Sequence, residues 1–333
     1  MVTFLPTRPG RLADVPSFDR AIGGAESNVA CALAAFGHPA RWVSRVGADG
    51  FGDHLVERIA GYGVDVTAVH RDPDRPTGVY FRTAGDRGTG AHEVAYYRAG
   101  SAASAMSVRN TDPGPVRAGR VLHLSGITAA LSADCRDLLH ELTAPRPGRP
   151  LVSFDVNHRP GLWRDTGGGR VLLGLARRAD IVFVGEDEAE EAWGVTGGPE
   201  AIRAALPEPA LLVVKRGARG ATAFARPAGD GTHPPAAREP ALDTDVVATT
   251  GAGDAFAAGF LSATLRDLPV KTRLRYGHLF AAAALTTPGD LAPPPSRHHA
   301  DRLAALDDDA WGRLRLGPGW TQADAAPEEA NTP

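Results

Sequence analysis

The chain has 333 residues, 43% of them hydrophobic, with 36 basic against 39 acidic side chains and a formal net charge of -3. That length holds one large α/β domain with an appendage or two modest domains, and the interspersed charges leave no electrostatic footprint for nucleic acid or an anionic membrane. Only Cys31 and Cys135 occur, with no CxxC pair and no recurring histidine spacing, so the pattern of a metal or disulfide scaffold is missing and a reducing cytoplasm fits. No stretch of about 18 apolar residues and no basic segment ahead of an apolar run suggests a membrane span or a secretory leader.

Residues 2–5 read as the end of a strand. Residues 22–37, IGGAESNVACALAAFG, are a glycine pair followed by a helix with Val29, Leu33 and Phe36 on one stripe and Gly37 as its stop. Residues 41–46 predict a strand, and VGADGFGDHL at 46–55 a glycine-rich turn into a helix capped by Asp49. Two short β-rich runs, 77–83 and 93–99, flank a polar segment at 84–92, the pattern of a hairpin. Period-two geometry places Val94, Tyr96 and Arg98 on one face, Ala95, Tyr97 and Ala99 on the other, and Tyr80 with Arg82 on one face of the partner strand. Packing of a small sheet accounts for the aromatics; an arginine flanked by a tyrosine on the same face is harder to explain that way.

From Arg120 onward, short apolar runs at 121–124, 151–154, 181–184 and 211–214 alternate with helical stretches such as 170–178 and 186–193. That cadence predicts a parallel sheet covered by helices, with ligands at the carboxyl ends of the strands. Residues 242–247 suit another strand, and ATTGAGDAFAAGF at 248–260 follows as a glycine-rich loop entering a buried helix. Gly251 and Gly253 permit close backbone approach, and the helix start aims unpaired N–H groups and the positive dipole end at the loop, which makes an anion site. Asp254 in the first helical turn can serve as a cap. A cap, however, needs no Gly-Ala-Gly before it, whereas phosphoryl transfer needs phosphate donors with a base beside them. Residues 271–289 read as a helix closed by a Pro-Gly-Asp turn, and residues 317–333 carry no periodicity.

TTGAGDAF resembles the signature of ribokinase-like carbohydrate kinases, and the likeness spans roughly residues 18–306. It implies a three-layer α/β/α sandwich with a small β-sheet lid: a kinase domain over residues 1–310, the lid drawn from about 10–24, 77–83 and 93–99, and a flexible tail at 311–333. It further implies ATP and Mg2+, Asp254 as the base that deprotonates a sugar hydroxyl, and Gly251, Ala252 and Gly253 as the backbone that holds the transferred phosphoryl group. Gly23, Gly24 and Asn28 match the family's first sugar-binding signature. VVKRGARGA resembles its nucleotide segment, which sets Lys215, Gly217 and Gly220 against ATP, although a plain hairpin explains the same residues. Glu188 matches the acidic end of an Asn-x-x-Glu motif that arranges magnesium indirectly, with Gly185 in place of the Asn. Ala248 replaces an Asp found near a monovalent-cation site in some members, so potassium dependence stays open.

YYRAGSAAS, HLSGITAALS and SFDVNHRPGLW resemble the 2-keto-3-deoxygluconate kinases within that family. The resemblance makes Tyr80, Tyr96, Arg98 and Arg159 substrate contacts. A sugar acid offers a carboxylate that a guanidinium holds through two parallel hydrogen bonds, and a neutral sugar does not. A kinase for fructose, ribose or a nucleoside is the alternative, and a sugar-binding relative without chemistry a more distant one. The resemblance also implies a homodimer formed through the lid, and a whole strand with a Gly-Glu pair ahead of residue 2. Either the natural start lies upstream of Met1, which the intact remainder favours, or the chain is clipped and a neighbouring strand lacks its partner.

Overall fold

The computed structural model describes residues 1–83, 93–163, 167–226 and 235–325, so the expected polar turn at 84–92 lies outside the described residues. The chain runs β1 (Val2–Pro6), β2 (Phe18–Ile22), α1 (Ala25–Ala35), β3 (Ser44–Gly47), α2 (Gly50–Ala60), β4 (Val69–Asp72), β5 (Val79–Arg82) and β6 (Val94–Tyr97). It continues through α3 (Pro113–Arg117), β7 (Val121–Ser125), α4 (Gly126–Leu131), α5 (Ala133–Thr143), β8 (Leu151–Asp155), α6 (Gly168–Ala176), β9 (Ile181–Gly185), α7 (Glu186–Trp193) and α8 (Gly198–Ala205). The last part holds β10 (Leu211–Lys215), β11 (Ala221–Ala225), β12 (Ala237–Glu239), β13 (Asp243–Thr244), α9 (Ala252–Leu265), α10 (Val270–Leu285), α11 (Arg297–Ala304), α12 (Asp308–Gly312) and β14 (Arg315–Leu316).

The main sheet has the order β12-β11-β10-β9-β8-β7, parallel from β7 to β10 and antiparallel beyond. Its central strands are apolar at nearly every position because both faces are covered. Alternation sorts them: Ile181, Phe183, Leu211 and Val213 face one core with α1, α9 and α10, while Val182, Val184, Leu212 and Val214 face a second core with α5, α6 and α8. Glycine in α9 lets two helices meet closely, since a Cβ on Gly259 would collide with α10 at the carbonyl of Tyr276.

A second sheet, ordered β2-β1-β5-β6, forms the lid. Residues 2–6 belong to it: β1 lies parallel to β5 and antiparallel to β2, so the lid contains the first strand as well as the expected segments. Tyr80 stands opposite Tyr96, a register that same-face grouping alone did not specify. A third pairing, β3 with β4, stands apart from the main sheet. Among the described residues β3 pairs only with β4, and β7 only with β8.

Two expectations are corrected. The strand at 242–247 contracts to β13, because Asp243 and Thr244 find only the two-residue β14 to pair with and Val246 and Val247 lie exposed. The flexible tail expected over 311–333 does not hold for its described part: Trp311 and Trp320 are buried, Trp311 in the core beneath α10 with the Arg275 guanidinium 4.8 Å from its ring centroid. Two large aromatic surfaces outweigh the polar composition around them. Trp311→Ala should lower unfolding stability by about 3–5 kcal/mol, measured by urea denaturation, whereas a loose tail would leave it unchanged.

Candidate active site

The 248–260 loop and helix form as read, with Gly251 at the N-cap of α9 at φ 82°, a left-handed conformation that disfavours side chains. A Cβ at Gly251 would strike the carbonyl of Asp290, so the loop is pressed against the turn that follows α10. At Gly253 a Cβ would meet only the Lys215 ammonium, at 3.6 Å, which puts a cation directly over the helix start. The Ala252 amide makes a long 3.4 Å bond to the Thr249 carbonyl.

Asp254 lines a cavity of about 1310 Å³. Its Oδ2 accepts a 2.8 Å hydrogen bond from Asn28 Nδ2, joining α1 to α9. Burial pushes its carboxyl up to about 7, against the Asn28 bond, and the negative charge of Asp155 adds to the rise. A carboxylate so poised can take a proton near neutral pH.

Lys215 at the end of β10 contacts both oxygens of Asp155 at the end of β8, at 3.0 and 3.3 Å. Burial alone would depress Lys215, yet Asp155 and Glu188 outweigh it and hold the ammonium above its ordinary range. Glu188 is raised by burial, with Lys215 opposing. Its Oε2 accepts from the Gly185 amide at 2.7 Å, the cap role open to any acid in a first turn, while Oε1 faces Arg159 at 3.5 Å. Arg159 therefore sits at the Glu188 side of the cavity. Asp49 caps α2, accepting from Gly52 at 2.7 Å, and ties that turn to Thr77 at 2.8 Å.

The lid supplies Tyr80, Tyr96 and Arg98 to the same cavity. The Arg98 guanidinium lies 4.5 Å from the Tyr96 ring centroid, and the two tyrosine rings are 5.6 Å apart. Tyr80 hydrogen-bonds Asp290, which also pairs with Arg82 at 3.1 Å. Gly23 has no room for a side chain against Tyr80 and Asp290, and Gly24 forms the adjoining wall. Gly217 and Gly220 fall in the β10–β11 hairpin, away from the cavity lining; a Cβ at Gly220 would strike the Glu239 carbonyl, a packing reason for glycine there. Asp155, Arg82 and Asp290 were not singled out from the sequence. Asp155 had a visible signal, an acid closing an apolar strand; Arg82 and Asp290 acquire meaning only through contacts between segments distant in the chain.

The model of the pfkB family carbohydrate kinases matches residues 2–297. The chain belongs to that family. A 2-dehydro-3-deoxygluconokinase of Bacillus subtilis is 34% identical over 311 residues, covering 92% of each chain. Among solved structures, a PfkB protein from Polaromonas sp. superposes with a TM-score of 0.77 at 32% identity, covering 91% of this chain and 96% of that one. A sugar kinase from Pyrococcus horikoshii, solved in complex with ATP, shares the fold at 24% identity with a TM-score of 0.76, over 94% of this chain and 97% of that one. The fold is ribokinase-like, and the protein is a phosphotransferase acting on a sugar. Among the described residues no helix is long and apolar enough to cross a membrane.

The raised Asp254 carboxyl has a sign that stability can test. An unfolded aspartate releases its proton near 4, and the folded one holds it up to about 7. The folded state thus binds the extra proton between those values, and the stabilisation is complete below about pH 4 and lost as pH rises through 7. Asp254→Asn, which keeps an acceptor for Asn28, should melt higher than the parent at pH 8 and converge with it near pH 4, by calorimetry across pH.

Proposed function

We propose that this kinase phosphorylates 2-keto-3-deoxygluconate at its terminal hydroxyl, with ATP as donor, giving the 6-phosphate. The observation that carries the reading is Asp254, poised near 7 at the head of α9 and opening into a cavity that Arg98 enters from the lid. Asp254 removes the hydroxyl proton as the sugar oxygen bonds the γ-phosphorus; the bond from that phosphorus to the β-γ bridging oxygen breaks, and ADP leaves. The amides at Ala252, Gly253 and Asp254 receive the charge on the transferred group, with Lys215 beside Gly253. Lys215 would meet the nucleotide phosphates without having to ionise on arrival, because Asp155 already keeps it charged.

Magnesium arriving with the nucleotide would neutralise phosphate charge. Such an ion takes one or two carboxylates plus phosphates and water. Asp155 and Glu188 are the acids within that reach of Lys215. Arg98, with Tyr80 and Tyr96 around it, would bind the substrate carboxylate, and Arg159 would approach from the Glu188 side. Asn28, flanked by Gly23 and Gly24, would hold the sugar hydroxyls beside the base. The name of the Bacillus subtilis relative supports the acid substrate.

Asp254→Asn should lower kcat by about 10²–10⁴. Arg98→Ala should raise KM for 2-keto-3-deoxygluconate about 10-fold to 100-fold, the loss of a charged hydrogen bond, and leave activity on fructose as it was. A coupled ADP assay across sugar acids and neutral ketoses decides both; faster turnover of a neutral ketose would replace the acid reading.

The lid leaves Tyr97 66% exposed, with Phe81 edge-on beside it at 5.8 Å between centroids. That aromatic face is where a homodimer would form. Sedimentation equilibrium should give twice the 34.8 kDa chain mass, and Tyr97→Asp should shift it toward one.

A further inference from the structure

Asp290 is touched by three segments that lie far apart in the chain. From the lid, β5 brings Tyr80, whose hydroxyl donates to Asp290 Oδ2, and Arg82, whose guanidinium lies 3.1 Å from Oδ1. From ahead of α1, Gly23 closes on the same carboxylate and leaves no space for a Cβ. From the anion loop, Gly251 presses on the Asp290 main-chain carbonyl. The Arg82 and Asp290 side chains are only 7% and 5% exposed. A buried ion pair adds little net stability over apolar packing, so stability alone gives no reason for two charges here.

Contacts run from this junction to both ends of the sugar site. Towards the lid, the Tyr80 and Tyr96 ring centroids are 5.6 Å apart, and the Arg98 guanidinium lies 4.5 Å from the Tyr96 centroid. A Cβ on Gly78, the residue ahead of β5, would sit 3.1 Å from Arg98 Cβ, so Arg98 is also braced by the strand that carries Tyr80. Towards the base, Gly251 is the N-cap of α9, and Asp254 stands in the first turn of that helix. Arg98, Tyr80, Arg82, Asp290 and Asp254 line the same cavity. The lid grips the side chain of Asp290 and the anion loop its main chain, and the separation of Arg98 from Asp254 is set through that one residue.

We propose that Asp290, held by Arg82, is a positioning residue that fixes the span between the cation and the base, and that this span selects sugar acids by chain length. The inference rests on the acid reading given above, in which Arg98 takes the carboxylate and Asp254 the terminal hydroxyl. With both ends held, the number of carbons between them decides whether the hydroxyl oxygen meets the base and lies in line with the phosphorus. Removing one carbon takes out a bond of about 1.5 Å, and a misplacement of about 1 Å costs about 100-fold in rate. Arg82 acts through Asp290, by keeping the lid in register with the head of α9.

Initial rates with a six-carbon 2-keto-3-deoxy acid and its five-carbon counterpart test the span. The parent should favour the six-carbon acid about 100-fold in kcat/KM. In Arg82→Ala that ratio should fall at least about 10-fold, through kcat on the six-carbon acid with its KM little changed because Arg98 is intact, and Arg82→Lys should restore most of it. A merely structural loss would lower activity on both acids in proportion. An unchanged ratio in Arg82→Ala, or equal kcat/KM for the two acids in the parent, overturns the inference while the acid reading stands. A parent that turns over a neutral ketose faster overturns the acid reading and this inference with it. Should Arg82→Ala fail to fold, the double variant Arg82→Gln with Asp290→Asn, which leaves neither charge alone, is read in the same way.

Discussion

The site depends on one carboxylate held where water cannot freely reach it. Asp254 comes to the head of α9 because Gly251 adopts a left-handed turn pressed against Asp290, and it is held by Asn28 from a helix 226 residues away in sequence. Burial raises its proton affinity, the Asn28 bond and Lys215 lower it, and the balance falls near neutrality. A fully hydrated aspartate would be ionised but weakly basic; one sealed in an apolar core would stay protonated. The fold places this side chain between those limits by setting it in a cavity wall.

Lys215 and Asp155 show how the remaining charge is managed. Each ends a strand of the parallel sheet, where side chains from β8 and β10 converge at the carboxyl edge on either side of β9. A buried ammonium alone would shed its proton, and a buried carboxylate alone would gain one; together they keep a cation fixed beside Gly253. Such a pair adds little net stability compared with an apolar one. In the proposed reaction the pair would present a charge already oriented for the arriving phosphate, which would avoid reorganisation at the moment of transfer.

How much of this could be read from the chain follows from the range of each interaction. The anion loop, the α1 stripe and the apolar strands from β7 to β10 depend on local spacing, and they appear where period and glycine placement put them. The faces shared by Tyr96 and by Tyr80 within their own lid strands were legible for the same reason; the register that sets them opposite each other was not. The 242–247 strand failed because its apolar residues find only β14 as a partner, and the tail failed because Trp311 and Trp320 supply buried area that composition averages away. Asp290 was invisible as a site residue since its importance lies in Tyr80, Arg82 and Gly251, three contacts from distant segments. Gly217 and Gly220 were set against ATP by resemblance; the fold itself gives a packing reason only for Gly220, against the Glu239 carbonyl.

The cavity wall also carries polar atoms that the fold itself does not satisfy. Asn28 Oδ1 and Asn157 Oδ1 are buried with no hydrogen-bond partner among the described residues, and Asn157 sits at φ 41°, a conformation asparagine tolerates better than most residues. Each such atom costs the free protein stability, about 1–3 kcal/mol by the usual desolvation penalty.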